Sequence, residues 1–125
     1  MKAACRILIT TILCAAPLAA SAASLPIDGK YGNKAGCLYA KTGETTGEDD
    51  FILLTPEDIR SAVAFCEIKS IGKAAGNKIG TTLSCADEGE EGNTTLSADV
   101  IRTDQDSYRV DFSDGTSWGP FERCR

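Results

Sequence analysis

Four cysteines, Cys37, Cys66, Cys85 and Cys124, constrain this chain more than any other feature. They are the cysteines left once an N-terminal leader is set aside, and an even count in a small exported domain reads as two disulfides. Zinc is the competing use of four thiolates. Structural zinc sites, however, take their ligands in close C-x2–4-C pairs, whereas these gaps are 29, 19 and 39 positions. Loop-closure entropy gives about 3.6 and 3.9 kcal/mol for 37–66 with 85–124, and about 4.6 and 3.3 kcal/mol for 37–124 with 66–85. Energy therefore does not choose. The first pairing is favoured because each bond would then staple one half of the chain.

The leader has three parts: Lys2 and Arg6, a mostly apolar run from Ile7 to Leu18, and the small residues Ala20-Ser21-Ala22 at A-x-A spacing. This layout is that of a secretory signal peptide over residues 1–23, cleaved after Ala22 or Ala23. About 12 apolar residues fall short of the roughly 20 that span a bilayer, so no membrane anchor is expected after cleavage. A lipid anchor on Cys14 is disfavoured, because Leu13 stands where a small residue is needed. Residues 24–125 then form a single disulfide-stapled domain, within the usual size of one. Losing Lys2 and Arg6 leaves 11 basic residues against 18 acidic ones, a net charge of −7. Such acidity argues against nucleic acid and anionic membrane surfaces, both of which select a basic footprint.

Glycine-rich punctuation cuts the mature chain into short pieces of mostly strand-like periodicity. Cys37–Lys41 is expected as a first strand and residues 42–50 as a solvated loop. Thr55-Pro56-Glu57-Asp58 has the composition of a helix start, with Thr at the cap, Pro first and carboxylates in the first turn. That helix should hand over to a strand near Val63. Residues 72–80 are expected as a loop, and Thr81, Leu83 and Cys85 share one face of a strand. Leu96, Ala98 and Val100 alternate, as do Tyr108, Val110 and Phe112. Asp114-Gly115 is a hairpin signal of the type I′ kind. Short strands with tight turns point to a mainly β fold: a small antiparallel barrel or sandwich with one short helix and two disulfides.

The chain has no histidine, so Ser-His-Asp and Cys-His arrangements cannot form. Paired cysteines remove thiolate nucleophiles as well. Ser70-Ile71-Gly72-Lys73, Ser113-Asp114-Gly115 and Lys41-Thr42-Gly43 echo the penicillin-binding signatures, but in the wrong order and in too short a chain. The carboxylate clusters are 48–50, 87–91 and Asp104 with Asp106. An EF-hand is excluded because Arg109 occupies the position of its required glycine. Catalytic residues, cofactors and a metal are therefore not expected. The residues singled out for binding are Glu88, Glu90 and Glu91, as a surface for a basic partner, and Trp118. For Trp118 the competing role is closing the core beside Cys124.

Several short motifs carry a resemblance: Gly29-Lys30-Tyr31, Cys37, then Leu54-Thr55-Pro56-Glu57-Asp58-Ile59 leading into Phe65-Cys66-Glu67-Ile68. Cys85 with Glu88-Gly89 and a final Phe121-Glu122-Arg123-Cys124 complete it. The layout resembles small uncharacterised exported four-cysteine β proteins of alphaproteobacteria, with Tyr31 in place of their usual Trp. The resemblance implies a periplasmic β protein and brings no site residues. The functional expectation is an exported, periplasmic or secreted, non-catalytic binding or inhibitory module. Its partner would be a basic protein of the envelope or host, such as a lysozyme. A structural or stress-related envelope protein without a discrete ligand is the alternative.

Overall fold

The computed structural model describes Cys14, residues 23–45, Gly47 and residues 50–125. The expected leader lies almost wholly outside these residues, and so do Glu48 and Asp49. Eight antiparallel strands close into a barrel in simple chain order. They are β1 (Tyr31–Gly32), β2 (Ile52–Leu54), β3 (Asp58–Ser61), β4 (Ala64–Ala75), β5 (Lys78–Asp87), β6 (Thr94–Asp104), β7 (Ser107–Phe112) and β8 (Ser117–Arg123). Among the described residues there is one helix, α1 (Lys34–Thr42), which follows β1. Of the two expected architectures, the barrel is the one that forms.

Period-2 alternation sends one set of side chains inward, and these fill the interior. Tyr31, Leu54, Ile59, Ile68, Leu83, Val100, Val110 and Phe121 are all fully buried there. Eight strands enclose a space that side chains alone can fill. The pairings from Ala86 run through Phe65, Arg60, Leu53, Gly32, Glu122 and Ser107 to Asp104 on β6. Neighbouring Cys85, by the short way, pairs with Thr94 at the other end of β6. The strands are thus strongly staggered, which is how a sheet tilts to close. Residues before β1 seal one end: Leu25 is buried among the core residues, Ala23 and Ile27 pack beside it, and the Leu25 N–H donates to Pro56 C=O at 2.7 Å.

The disulfides are Cys37–Cys124 and Cys66–Cys85, not the favoured 37–66 with 85–124. Cys66 and Cys85 are direct partners on adjacent strands and both point into the core. Cys37 sits on α1, outside the wall, next to the end of β8. An inward Cys66 cannot reach an outward Cys37 through the sheet.

The helix is also in a different place from that expected. Asn33 caps α1 by accepting the Gly36 N–H at 2.8 Å, and Gly43 ends it at φ 75°. The segment expected as the first strand is this helix. Its backbone lies directly on β2, because a Cβ on Gly36 would stand 1.8 Å from the Ile52 carbonyl oxygen. Thr55–Asp58 forms a turn instead of a helix start. Thr55 Oγ1 accepts the N–H groups of Glu57 and Asp58 at 3.2 and 3.1 Å, the same bonds an N-cap makes. Ile59 then enters the core on β3. Residues 72–80 are not a loop but the tip of the β4–β5 hairpin, which turns at Gly76-Asn77 with positive φ only at Gly76. At Asp114-Gly115 only the glycine has positive φ, and its N–H bonds to Phe112 C=O at 3.1 Å. A type I turn closed by a left-handed glycine fits, and type I′ does not.

Candidate functional site

The antiparallel order places the β3–β4, β5–β6 and β7–β8 turns, and the segment entering β2, at one end of the barrel. On the outer wall at this end, α1 and the β3–β4 hairpin enclose a groove of about 550 Å³. Tyr39 and Phe51 form one wall, Val63 and Phe65 the other, and Asp87 and Glu88 stand on the rim. Phe51, Ala35 and Leu53 make a small second core beneath α1, with Tyr39 against it, so that wall is packed from behind. The Tyr39 and Phe51 ring centres are 4.9 Å apart.

Among the described residues, Arg60 is the one cation lining this groove, and three of its five N–H groups are engaged. Its Nε and Nη2 donate to the two Asp58 carboxylate oxygens, each at 2.9 Å, and Nη1 donates to the Tyr39 hydroxyl at 3.2 Å. Its guanidinium carbon lies 4.8 Å from the centre of the Phe65 ring. The Asp58 bonds drive its pKa still higher, so its charge is permanent, and the same carboxylate neutralises it. An anionic ligand would have to compete with Asp58.

The opposite wall ends in an apolar tip. Val63 is 59% exposed and Phe65 40%. The tip is held by its own hydrogen bonds: Ser61 Oγ accepts the N–H groups of Val63 and Ala64 at 3.3 and 3.1 Å. The Glu88 N–H donates to Val63 C=O at 2.7 Å and ties the acidic turn to this tip. Glu88, Glu90 and Glu91 are all exposed in the β5–β6 connection, and Asp50 is exposed before β2. The described members of the 48–50 and 87–91 clusters therefore flank one end of the fold, and Asp104 with Asp106 lie at the other.

Trp118 is elsewhere. It is half-buried on β8, its ring centre 4.7 Å from that of Phe112 in an edge-on arrangement, and it packs against the core. Cys124, beside which it was expected, lies at the far end of β8 under α1. Trp118 also lines a second hollow of about 510 Å³ with Asn33, Lys34, Asp50, Pro120 and Glu122. The structure thus does not bring Trp118 into one groove with Glu88, Glu90 and Glu91. Sequence reasoning missed Val63, Phe65, Tyr39 and Phe51 as site residues. The available signal was the pair of apolar residues, Val63 in a turn and Phe65 just after it.

Among the described residues, no group of three or more Cys, Asp or Glu is placed to hold a metal ion. No described helix is long and apolar enough to cross a membrane. Comparison with protein-family models, curated proteins and solved structures gives no match to this chain.

Proposed function

We propose that this chain is a non-catalytic binding or inhibitory module that works outside the cytoplasm, in the periplasm or secreted, and captures a basic protein. Its two disulfides suit an oxidising compartment. The observation that carries the reading is the apolar tip of Val63 and Phe65, held by hydrogen bonds to Ser61 and Glu88 and bordered by Asp87 and Glu88. Exposed apolar patches rimmed by polar groups mark interaction sites, and a pre-organised loop loses little entropy on docking. Like-signed charge around such a patch selects a partner of opposite sign and raises its on-rate. A lysozyme, small, basic and secreted, is the concrete partner.

Association kinetics against a basic lysozyme test the reading. The on-rate should fall between low and high salt, because exposed charges are screened over about 8–10 Å at physiological ionic strength. Replacing Glu88, Glu90 and Glu91 with Gln should reproduce much of that fall at low salt. Binding indifferent to both changes removes the steering role. Absence of binding to lysozyme and to other basic envelope proteins favours a structural envelope protein without a discrete ligand.

A further inference from the structure

We infer that the groove between α1 and the β3–β4 hairpin receives an apolar side chain of the partner whose chain neighbour is lysine or arginine. This rests on the binding reading above and specifies what the partner must present. The groove surface is mostly carbon: Tyr39, Phe51, Val63 and Phe65 supply its walls, and Ala64 and Ala86 also line it. Its volume of about 550 Å³ admits a large side chain with room for neighbouring backbone.

Arg60 is bonded inside the groove, donating to the Asp58 carboxylate and to the Tyr39 hydroxyl. A polar ligand is left the remaining Arg60 N–H groups and the Tyr39 and Ser61 hydroxyl hydrogens, whereas an apolar side chain needs no donor and meets mostly carbon. The floor is electrically balanced by the Arg60–Asp58 pair, which leaves Asp87 and Glu88 as the charges at the mouth among the described lining residues. A cation beside the inserted group meets those carboxylates. An acidic neighbour would be repelled there and would have to compete with Asp58 for Arg60, whose Nε and Nη2 already donate to that carboxylate.

Capped dipeptides separate this from general charge attraction. Acetyl-Leu-Arg-amide, acetyl-Leu-Glu-amide and acetyl-Gly-Arg-amide are titrated into the oxidised, 15N-labelled protein, and amide shifts are followed by NMR. The Leu-Arg probe should give saturable shifts at Val63, Phe65 and Glu88. The Leu-Glu and Gly-Arg probes should bind several-fold more weakly. Glu88→Gln should weaken the Leu-Arg probe by about two- to fivefold, the range of one exposed charge pair. Equal response to Leu-Arg and Leu-Glu overturns the inference, and so do shifts centred on Trp118 or no saturable shift at all. If lysozyme binds with salt-dependent kinetics while the dipeptides leave the groove untouched, the binding reading stands and the insertion falls. Failure of both removes both.

Discussion

The guanidinium carbon of Arg123 lies 5.0 Å from the centre of the Tyr31 ring, joining the strands that close the barrel. Arg123 Nε donates to Asp106 at 2.7 Å, and Nη1 and Nη2 donate to the Asp28 carbonyl and carboxylate at 3.0 and 3.1 Å. The Tyr31 hydroxyl donates to the same Asp28 carboxylate at 2.9 Å. β1 has only two residues, so this cluster supplements a very short ladder.

Burial of Tyr31, and then its bond to Asp28, raises the phenol to about 12 from 10.0. A raised pKa means that the folded state holds the proton more tightly. The resulting stability is complete below pH 10 and is lost as pH climbs through 12. The loss should be about 2–3 kcal/mol, checked by denaturant midpoints across that range. Tyr31→Phe should flatten this alkaline limb. In acid the sign reverses. The Tyr31 bond, then Arg123, lowers Asp28, and Arg123 lowers Asp106. Their contribution is present above pH 3.8 and disappears as pH falls, and Arg123→Gln should weaken this acid limb.

The two disulfides should differ in reactivity. Cys66 and Cys85 are each 2% exposed, whereas Cys37 and Cys124 are partly accessible. A mild dithiol reductant acting on the native protein should open Cys37–Cys124 first, as read by mass-tagged thiol alkylation. Opening it should cost about 4–5 kcal/mol on loop-entropy grounds, given a separation of 87 residues. Simultaneous opening of both bonds would contradict the burial difference.

Gly36→Ala should destabilise by several kcal/mol or displace α1, since its Cβ would overlap the Ile52 carbonyl. Gly76→Ala is the contrasting case. Its φ of 62° faces open space, so the cost is backbone strain of about 1–2 kcal/mol. Chemical denaturation of the two variants checks the order.

Val63→Ser should leave stability within about 0.5 kcal/mol, because the side chain is mostly in solvent. Affinity for a basic partner should nonetheless fall about tenfold or more if the tip is a binding anchor. Leu25→Ala should do the opposite: it should cost about 2–5 kcal/mol by hollowing the sealed end and leave the distant groove intact. Unfolding curves and partner titrations, measured on the same samples, separate the two effects.

The strands from β5 onward were legible because Thr81, Leu83 and Cys85, then Ala98 and Val100, then Tyr108, Val110 and Phe112 alternate without interruption. Earlier elements were harder to read. Gly36 argues locally against a helix, and its reason for being there, contact with Ile52, is a long-range one. Thr55 makes identical bonds in a turn and at a helix start, so its signal is degenerate. Gly76-Asn77 is a recognised two-residue turn pair, hidden in a run that composition alone marked as loop. Disulfide pairing depends on which face each cysteine takes, and Cys37 lies on a helix where the local pattern suggests a strand. Of the site, the acidic turn was visible as composition. The groove was not, because Tyr39, Phe51 and Phe65 converge only when α1 docks on β2 and the β2–β3–β4 meander forms.

Closure by a two-residue β1 against β8 also dictates when this protein can finish folding. The last strand must seat beside the first, and Cys124 must find Cys37, after nearly the whole chain has been delivered. Until Phe121–Cys124 arrives, the sheet has two unpaired edges, and such edges recruit other chains. Contacts this distant in sequence also make assembly slow. A chain shortened by its final few residues would therefore lose closure, helix anchorage and the covalent tie together, and should accumulate as aggregate rather than as a slightly weaker barrel.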